Sequence, residues 1–168
     1  LLEEMTLEQK VGQLFLVRPD SLDLSQTQDQ INDAKADGVT ELTDAMRQTL
    51  AEYPVGGVVI FGKNLESPQQ ITQFLDDLQQ ASDTPLFTAI DEEGGLVARL
   101  ANNAAFDLPQ YESAAAVGTS GNPEDARAMG RTIGGYLKEY GFNLDFAPVA
   151  DVNTNPDNPV IGTRAFSS

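Results

Sequence analysis

Residues 55–61 read VGGVVIF, and this unbroken apolar stretch decides the fold class. Strands of a sheet that is covered on both faces are apolar throughout, whereas strands with one face in water alternate between apolar and polar residues. A second run of this kind is Leu86–Ile90, and Leu14–Val17 and Leu144–Val149 are two further strand-sized segments. Together these segments predict a parallel sheet that is buried between helices.

Helical segments separate the predicted strands. Thr40–Tyr53 carries apolar residues at three- and four-residue spacing, with Thr40 placed to cap it. Pro68–Ala81 begins with a serine cap and a proline, and Pro123–Tyr140 begins with a proline and is followed by Gly141. Strands and helices therefore alternate along the chain, which predicts an α/β fold.

Two architectures share this alternation: an open, doubly wound sheet and an arc of a (β/α)₈ TIM barrel. A complete barrel typically takes ~250 residues, and this chain of 168 residues supplies about half of the strands. The sequence also stops, at Ser168, in a loop just after a strand. We therefore predict roughly the first half of a TIM barrel, truncated from a longer chain, with the polar segment 20–39 as an insertion.

The composition excludes several classes of function. A formal net charge of −16 repels phosphate backbones and anionic lipids, so neither nucleic acid nor a membrane is an expected partner. The sequence has no cysteine and no histidine, which excludes thiol catalysis and any histidine-based triad within these residues. We expect neither a metal nor another cofactor. An acidic ligand would be disfavoured unless an arginine reversed the local field.

Ligands of parallel α/β folds meet the loops that follow the carboxyl ends of the strands, so polar clusters in these loops are the candidate site. Lys63 and Asn64 follow the second strand, where an ordinary strand-to-helix turn would have the same composition. The sequence DEEGG at residues 91–95 follows the third strand. The last cluster runs from Asp151 to Arg164, in a loop rich in asparagine and proline.

The DEEGG cluster carries the most chemical information. Three carboxylates at a buried strand end repel one another unless a cation, a metal or a hydroxyl-rich ligand compensates them. The alternative is a helix start, with Asp91 as the N-cap and Glu93 in the first turn, and Arg99 pairing with one of the carboxylates. Asp91 and Glu93 are not expected to be the two catalytic carboxylates of a glycosidase, because residues two apart at a strand end point to opposite faces.

In their order along the chain, these motifs resemble those of glycoside hydrolase family 3. The matching stretches are MTLEQKVGQL at residues 5–14, GGVVIFGKN at 56–64, DEEGGLVAR at 91–99, FAPVADV at 146–152 and NPVIGTRAF at 158–166. The resemblance covers nearly the whole chain apart from residues 20–39. The residues of the third and fifth motifs are similar to those of the β-N-acetylhexosaminidase branch of the family rather than to those of its β-glucosidase branch.

The resemblance implies a retaining β-N-acetylhexosaminidase whose substrate is an oligosaccharide with a terminal β-linked N-acetylglucosamine. It assigns Asp91, Arg99 and Arg164 to the hydroxyl groups of this sugar. The chain departs from the family pattern at Leu96, where a polar or basic residue is commoner, and at Thr163, where an aspartate is usual. Further candidates to line the site are Lys63, Asn64, Glu93 and Asp151.

The family mechanism is a double displacement through an aspartate nucleophile, with a histidine as acid/base and a Lys-His pair that binds substrate. In the family order all of these lie downstream of Ser168, so no catalytic residue is expected within this chain and it should be inactive alone. A sugar-binding module without catalysis, a half-barrel interaction module and a β-glucosidase-type enzyme remain as alternatives. An open barrel seam would leave apolar surface uncovered, and we predict self-association through it.

Overall fold

The computed structural model describes residues 2–167, which adopt an α/β fold. The α-helices of this part are α1 (Leu7–Gly12), α2 (Gln28–Asn32), α3 (Asp44–Glu52), α4 (Pro68–Ala81), α5 (Ala114–Gly118) and α6 (Pro123–Glu139). Its strands are β1 (Leu16–Val17), β2 (Gly57–Ile60), β3 (Phe87–Ile90), β4 (Glu92–Gly94), β5 (Val97–Ala98) and β6 (Leu144–Asp145). Short 3₁₀ helices cover Pro19–Leu22, Gly62–Asn64 and Gly162–Arg164. Ser168 lies outside the described residues. The family resemblance places the catalytic groups downstream of it.

The main sheet contains β1, β2, β3 and β6 in that order, and all of its pairings are parallel. Each strand is therefore added to the same side of the sheet as the chain proceeds. A doubly wound sheet reverses its strand order at a switch point, and no reversal occurs in residues 2–167. The sheet is thus an arc of a (β/α)₈ barrel, and the predicted fold class is confirmed.

The two longest helices begin where the local sequence signals place them. Ser67 caps α4, with its Oγ accepting a hydrogen bond from the backbone N–H of Gln70 at 3.1 Å, and Pro68 is the first helical residue. Pro123 is the first residue of α6. Gly141 follows this helix with a φ of 94°, in the left-handed region that glycine adopts most readily.

Two predicted boundaries are wrong. Helix α3 is capped by Thr43 rather than Thr40, because the Oγ1 of Thr43 accepts a hydrogen bond from the N–H of Met46 at 3.2 Å. The fourth strand of the main sheet is Leu144–Asp145 and does not extend to residue 149. Pro148 lies in the missing part, and it has no backbone N–H with which to continue a ladder.

The hydrophobic core lies between the sheet and the helices that cover its outer face. Ile71, Phe74 and Leu78 of α4 are almost completely buried, as are Val58 and Ile60 of β2. Side chains alternate between the two faces of a strand, and the opposite face is more open: Phe87 of β3 is 52% exposed. Every helix within residues 2–167 is too short or too polar to span a lipid bilayer.

Candidate functional site

The DEEGG segment forms a hairpin at the carboxyl end of β3. Strands β4 and β5 pair antiparallel, with an irregular register between Glu92 and Gly94. Gly94 and Gly95 have φ values of 83° and 68°, which let the chain reverse within a few residues. The alternative in which Asp91 caps a helix is therefore wrong.

The hairpin brings Asp91 and Arg99 together. The Nη2 of Arg99 lies 3.1 Å from the Oδ2 of Asp91, which confirms the expected pairing of Arg99 with a carboxylate of the cluster. The side chains remain accessible, 34% exposed for Arg99 and 29% for Asp91. A guanidinium has five N–H donors and a carboxylate about four acceptor positions, so one mutual bond leaves both groups able to bind a further polar ligand.

Glu93 and Arg164 form a second pair, across 71 residues of sequence. The contact is bidentate: Nε of Arg164 donates to Oε2 of Glu93 at 2.9 Å, and Nη2 donates to Oε1 at 2.7 Å. The Glu93 side chain is nearly buried and holds the guanidinium in a fixed plane. This hydrogen bonding raises the pKa of Arg164, and the charge of the exposed Asp151 acts in the same direction. Thr163 is exposed.

Lys63 and Asn64 turn towards segment 20–39 instead of the open strand ends. The Nζ of Lys63 lies 3.1 Å from Oδ1 of the fully buried Asp20 and also donates to the carbonyl oxygen of Ile31 at 3.0 Å. The Nδ2 of Asn64 donates to Oδ2 of Asp20 at 3.0 Å and to the carbonyl oxygen of Val39 at 2.9 Å. These contacts hold segment 20–39 beside the end of β2.

Phe61 lies between Arg99 and Arg18, and Nη1 of Arg18 donates to the carbonyl oxygen of Ile31 in that segment at 2.7 Å. The Cζ of Arg18 lies 4.4 Å from the centre of the Phe61 ring, and the Cζ of Arg99 lies 5.6 Å from it. The two guanidinium carbons are therefore no more than 10.0 Å apart. Sequence analysis did not single out Arg18 or Phe61, because a cation–π contact between residues so distant in sequence leaves no periodic signal.

The buried Glu92 and Tyr136 form, with the partly buried Asp145, a polar cluster that sequence analysis missed. Oε1 of Glu92 accepts a hydrogen bond from the Tyr136 hydroxyl at 2.8 Å, and Oδ1 of Asp145 accepts one from the backbone N–H of Glu92 at 3.0 Å. Burial raises the pKa of Asp145 to about 6, and the charges of Glu92, Asp91 and Glu93 add to this shift. Burial, followed by the charge of Glu92, also raises the pKa of Tyr136. The sequence signal that could have revealed this cluster is Asp145, a charged residue within a predicted apolar strand.

The site is suited to a neutral, hydrogen-bonding ligand. Each of its two guanidinium groups is paired with a carboxylate, and such pairs offer strong donors and acceptors with little net charge. Within residues 2–167 no group of histidine, cysteine, aspartate or glutamate side chains could hold a metal ion. A cavity of about 480 Å³ lies between α6 and the strand ends on the side of Glu93, and its polar lining is Glu92, Glu93 and Asp145.

Fold and site together define part of a parallel (β/α) barrel that presents paired acidic and basic side chains at its strand ends. The family model of the glycosyl hydrolase family 3 N-terminal domain matches residues 6–168. The chain belongs to glycosyl hydrolase family 3.

Named relatives agree with this assignment. Beta-hexosaminidase A of Pseudoalteromonas piscicida is 37% identical over 134 residues, which cover 77% of this chain and 22% of the relative. Beta-hexosaminidase of Thiobacillus denitrificans is 34% identical over 131 residues, covering 76% and 36%. A family 3 beta-N-acetylglucosaminidase structure from a Paenibacillus species superposes with a TM-score of 0.77 at 34% identity, covering 96% of this chain and 27% of that one. The chain thus spans well under half the length of these relatives.

Proposed function

We propose that this chain is the N-terminal, sugar-binding part of the catalytic barrel of a retaining β-N-acetylhexosaminidase. The substrate would be an oligosaccharide with a terminal β-linked N-acetylglucosamine. The observation that carries the proposal is the partly exposed Asp91–Arg99 pair at the carboxyl end of β3, where barrel enzymes bind their substrates. The names of the relatives, beta-hexosaminidase and beta-N-acetylglucosaminidase, support the choice of sugar.

The chemistry of the pairs fits a sugar. Adjacent hydroxyls can donate to the carboxylate of Asp91, while the Nη–H groups of Arg99 and Arg164 that are still available donate to hydroxyl oxygens. Arg164 enters the site already oriented by its bidentate contact with Glu93, so little rotational freedom is lost when the ligand binds. The exposed Asp151 lies near this guanidinium and would line the site.

The bond-breaking groups would come from a different segment of the protein. A retaining glycosidase requires a nucleophile and an acid/base on either side of the scissile bond, and the family resemblance places both downstream of Ser168. On this proposal, Asp91, Arg99 and Arg164 bind the terminal sugar and orient its anomeric carbon. Such orientation lowers the activation barrier by replacing a bimolecular encounter with a fixed geometry.

The test uses the protein that contains the complete barrel and an aryl β-N-acetylglucosaminide as substrate. Asp91→Ala should lower kcat/KM by one to two decades, because each lost hydrogen bond from a charged acceptor costs roughly 1.5–3 kcal/mol. Asp91→Asn should lower it less, since one acceptor oxygen remains. Asp83→Ala is the matched control, because Asp83 is an exposed aspartate before the amino end of the same strand. Equal losses for Asp91→Ala and Asp83→Ala would refute the assignment.

A further inference from the structure

We infer that Glu92 is a positioning residue, which holds Asp91 and Arg99 at the separation needed to bind the sugar. The inference rests on the proposed function, because it names the residue that sets the geometry of the same site. Sequence position alone would treat Glu92 as one of three equivalent carboxylates. The structure distinguishes it, because Glu92 is completely buried whereas Asp91 is about one-third exposed.

The Glu92 carboxylate accepts hydrogen bonds from three donors. Its Oε2 accepts from the backbone N–H of Leu100 at 2.9 Å. Its Oε1 accepts from the backbone N–H of Ala101 at 2.9 Å and from the hydroxyl of Tyr136 at 2.8 Å. Two donors thus belong to the chain just after β5, and the third belongs to helix α6.

These bonds act on both members of the sugar-binding pair. Glu92 follows Asp91 directly, and Leu100 follows Arg99 directly. The backbone of Glu92 is fixed separately, because its N–H donates to Oδ1 of Asp145 at 3.0 Å. The carboxylate therefore ties the residue after Arg99 to the residue after Asp91 and closes the open end of the hairpin. The distance between the two accessible side chains depends on this closure.

The electrostatic setting of Glu92 is unfavourable, which argues against a role in stability alone. None of the ion pairs formed within residues 2–167 involves Glu92. Its negative charge adds to the shift that raises the pKa of the neighbouring Asp145. A buried carboxylate without a cation costs free energy that its hydrogen bonds only partly offset. Local features of this kind are expected where a site requires a defined geometry.

The test is a double-mutant cycle in the protein with the complete barrel, with the dissociation constant of N-acetylglucosamine as the readout. Glu92→Gln keeps the size of the side chain but replaces one acceptor oxygen with an N–H donor, so one of the two backbone bonds is lost. If Glu92 acts through Arg99, Glu92→Gln should weaken binding about tenfold in the wild type and less than about twofold when Arg99 is already alanine. A general loss of stability would weaken binding equally in both backgrounds.

A second cycle keeps the inference testable if Glu92→Gln does not fold. Tyr136→Phe removes one donor from Oε1 and leaves both backbone bonds, and its smaller effect on affinity should also vanish in the Arg99→Ala background. Equal effects with and without Arg99, in whichever cycle folds, would overturn the positioning role while the proposed function stands. A wild-type protein that neither binds N-acetylglucosamine nor hydrolyses its aryl glycoside would overturn both.

Discussion

Replacing Lys63 with methionine should be among the most destabilising single changes near the strand ends. The Lys63 and Asp20 side chains are only 5% and 0% exposed, and their charged atoms lie 3.1 Å apart. Methionine would fill the space of the lysine stem but leave the Asp20 carboxylate buried with two neutral donors from residues 2–167, the N–H of Val39 and the amide of Asn64. Removing one partner of a buried pair typically costs ~3–5 kcal/mol.

Urea denaturation followed by circular dichroism measures this loss as a change in the free energy of unfolding. The matched control is Arg127→Met, which breaks the Arg127–Glu124 pair on α6, where the two side chains are 60% and 65% exposed. Exposed pairs contribute only ~0–1 kcal/mol. The double variant Asp20→Asn/Lys63→Met should recover part of the loss, because it removes the uncompensated charge. If Lys63→Met and Arg127→Met cost the same, burial of the Lys63–Asp20 pair has no energetic consequence and the reasoning fails.

Three further predictions concern pH, assembly and catalysis. The pKa of Asp145 is raised from 3.8 to about 6, so its contribution to folding stability is present below pH ~4 and is lost as the pH rises through about 6. Urea denaturation should therefore show Asp145→Asn gaining stability relative to the wild type between pH 4.5 and 7.5, and a constant difference would contradict this. The 168-residue chain by itself should self-associate in light scattering, because Leu14 and Phe15 beside the edge strand β1, and Phe87 on the open face of β3, are 80%, 55% and 52% exposed; a monomer at all concentrations would contradict self-association through this uncovered apolar surface. The same chain should release no product from an aryl β-N-acetylglucosaminide, and steady turnover would show that its own residues suffice for catalysis.

Local sequence signals were enough to predict the main elements. Ser67 and Pro68 mark the start of α4 because capping and the fixed φ of proline act within one helical turn. The continuous apolar pattern of β2 and β3 predicted a parallel sheet for a similar reason, since covering both faces affects every residue of a strand. The Asp91–Arg99 pair could also be predicted from the sequence, because the two residues are only eight positions apart and are joined by a hairpin.

The contacts that complete the site depend on chain segments far apart in sequence. Glu93 meets Arg164 across 71 residues, and Asn64 meets Asp20 across 44. The burial of Glu92 could not be predicted from the sequence either, because it depends on an irregular strand register rather than on residue type. Glu92→Ala would change little only if Glu92 faced solvent, and the complete burial of Glu92 rules this out. We expect that substitution to destabilise the fold, because it leaves the backbone N–H groups of Leu100 and Ala101 without their acceptor in the interior.

Segment 20–39 is fastened at both of its ends by one carboxylate. Asp20, at its start, accepts a hydrogen bond from the N–H of Val39, at its end, at 3.2 Å, and the same side chain binds Lys63. The residues between them therefore form a loop whose two ends are held together by the Asp20 side chain. The entropic contribution to the free energy of closing a flexible loop rises slowly, by only about 0.6 kcal/mol for each doubling of loop length. The exposed residues between Asp20 and Val39 should therefore accept a different loop, provided that the buried Leu22 and Ile31 are kept.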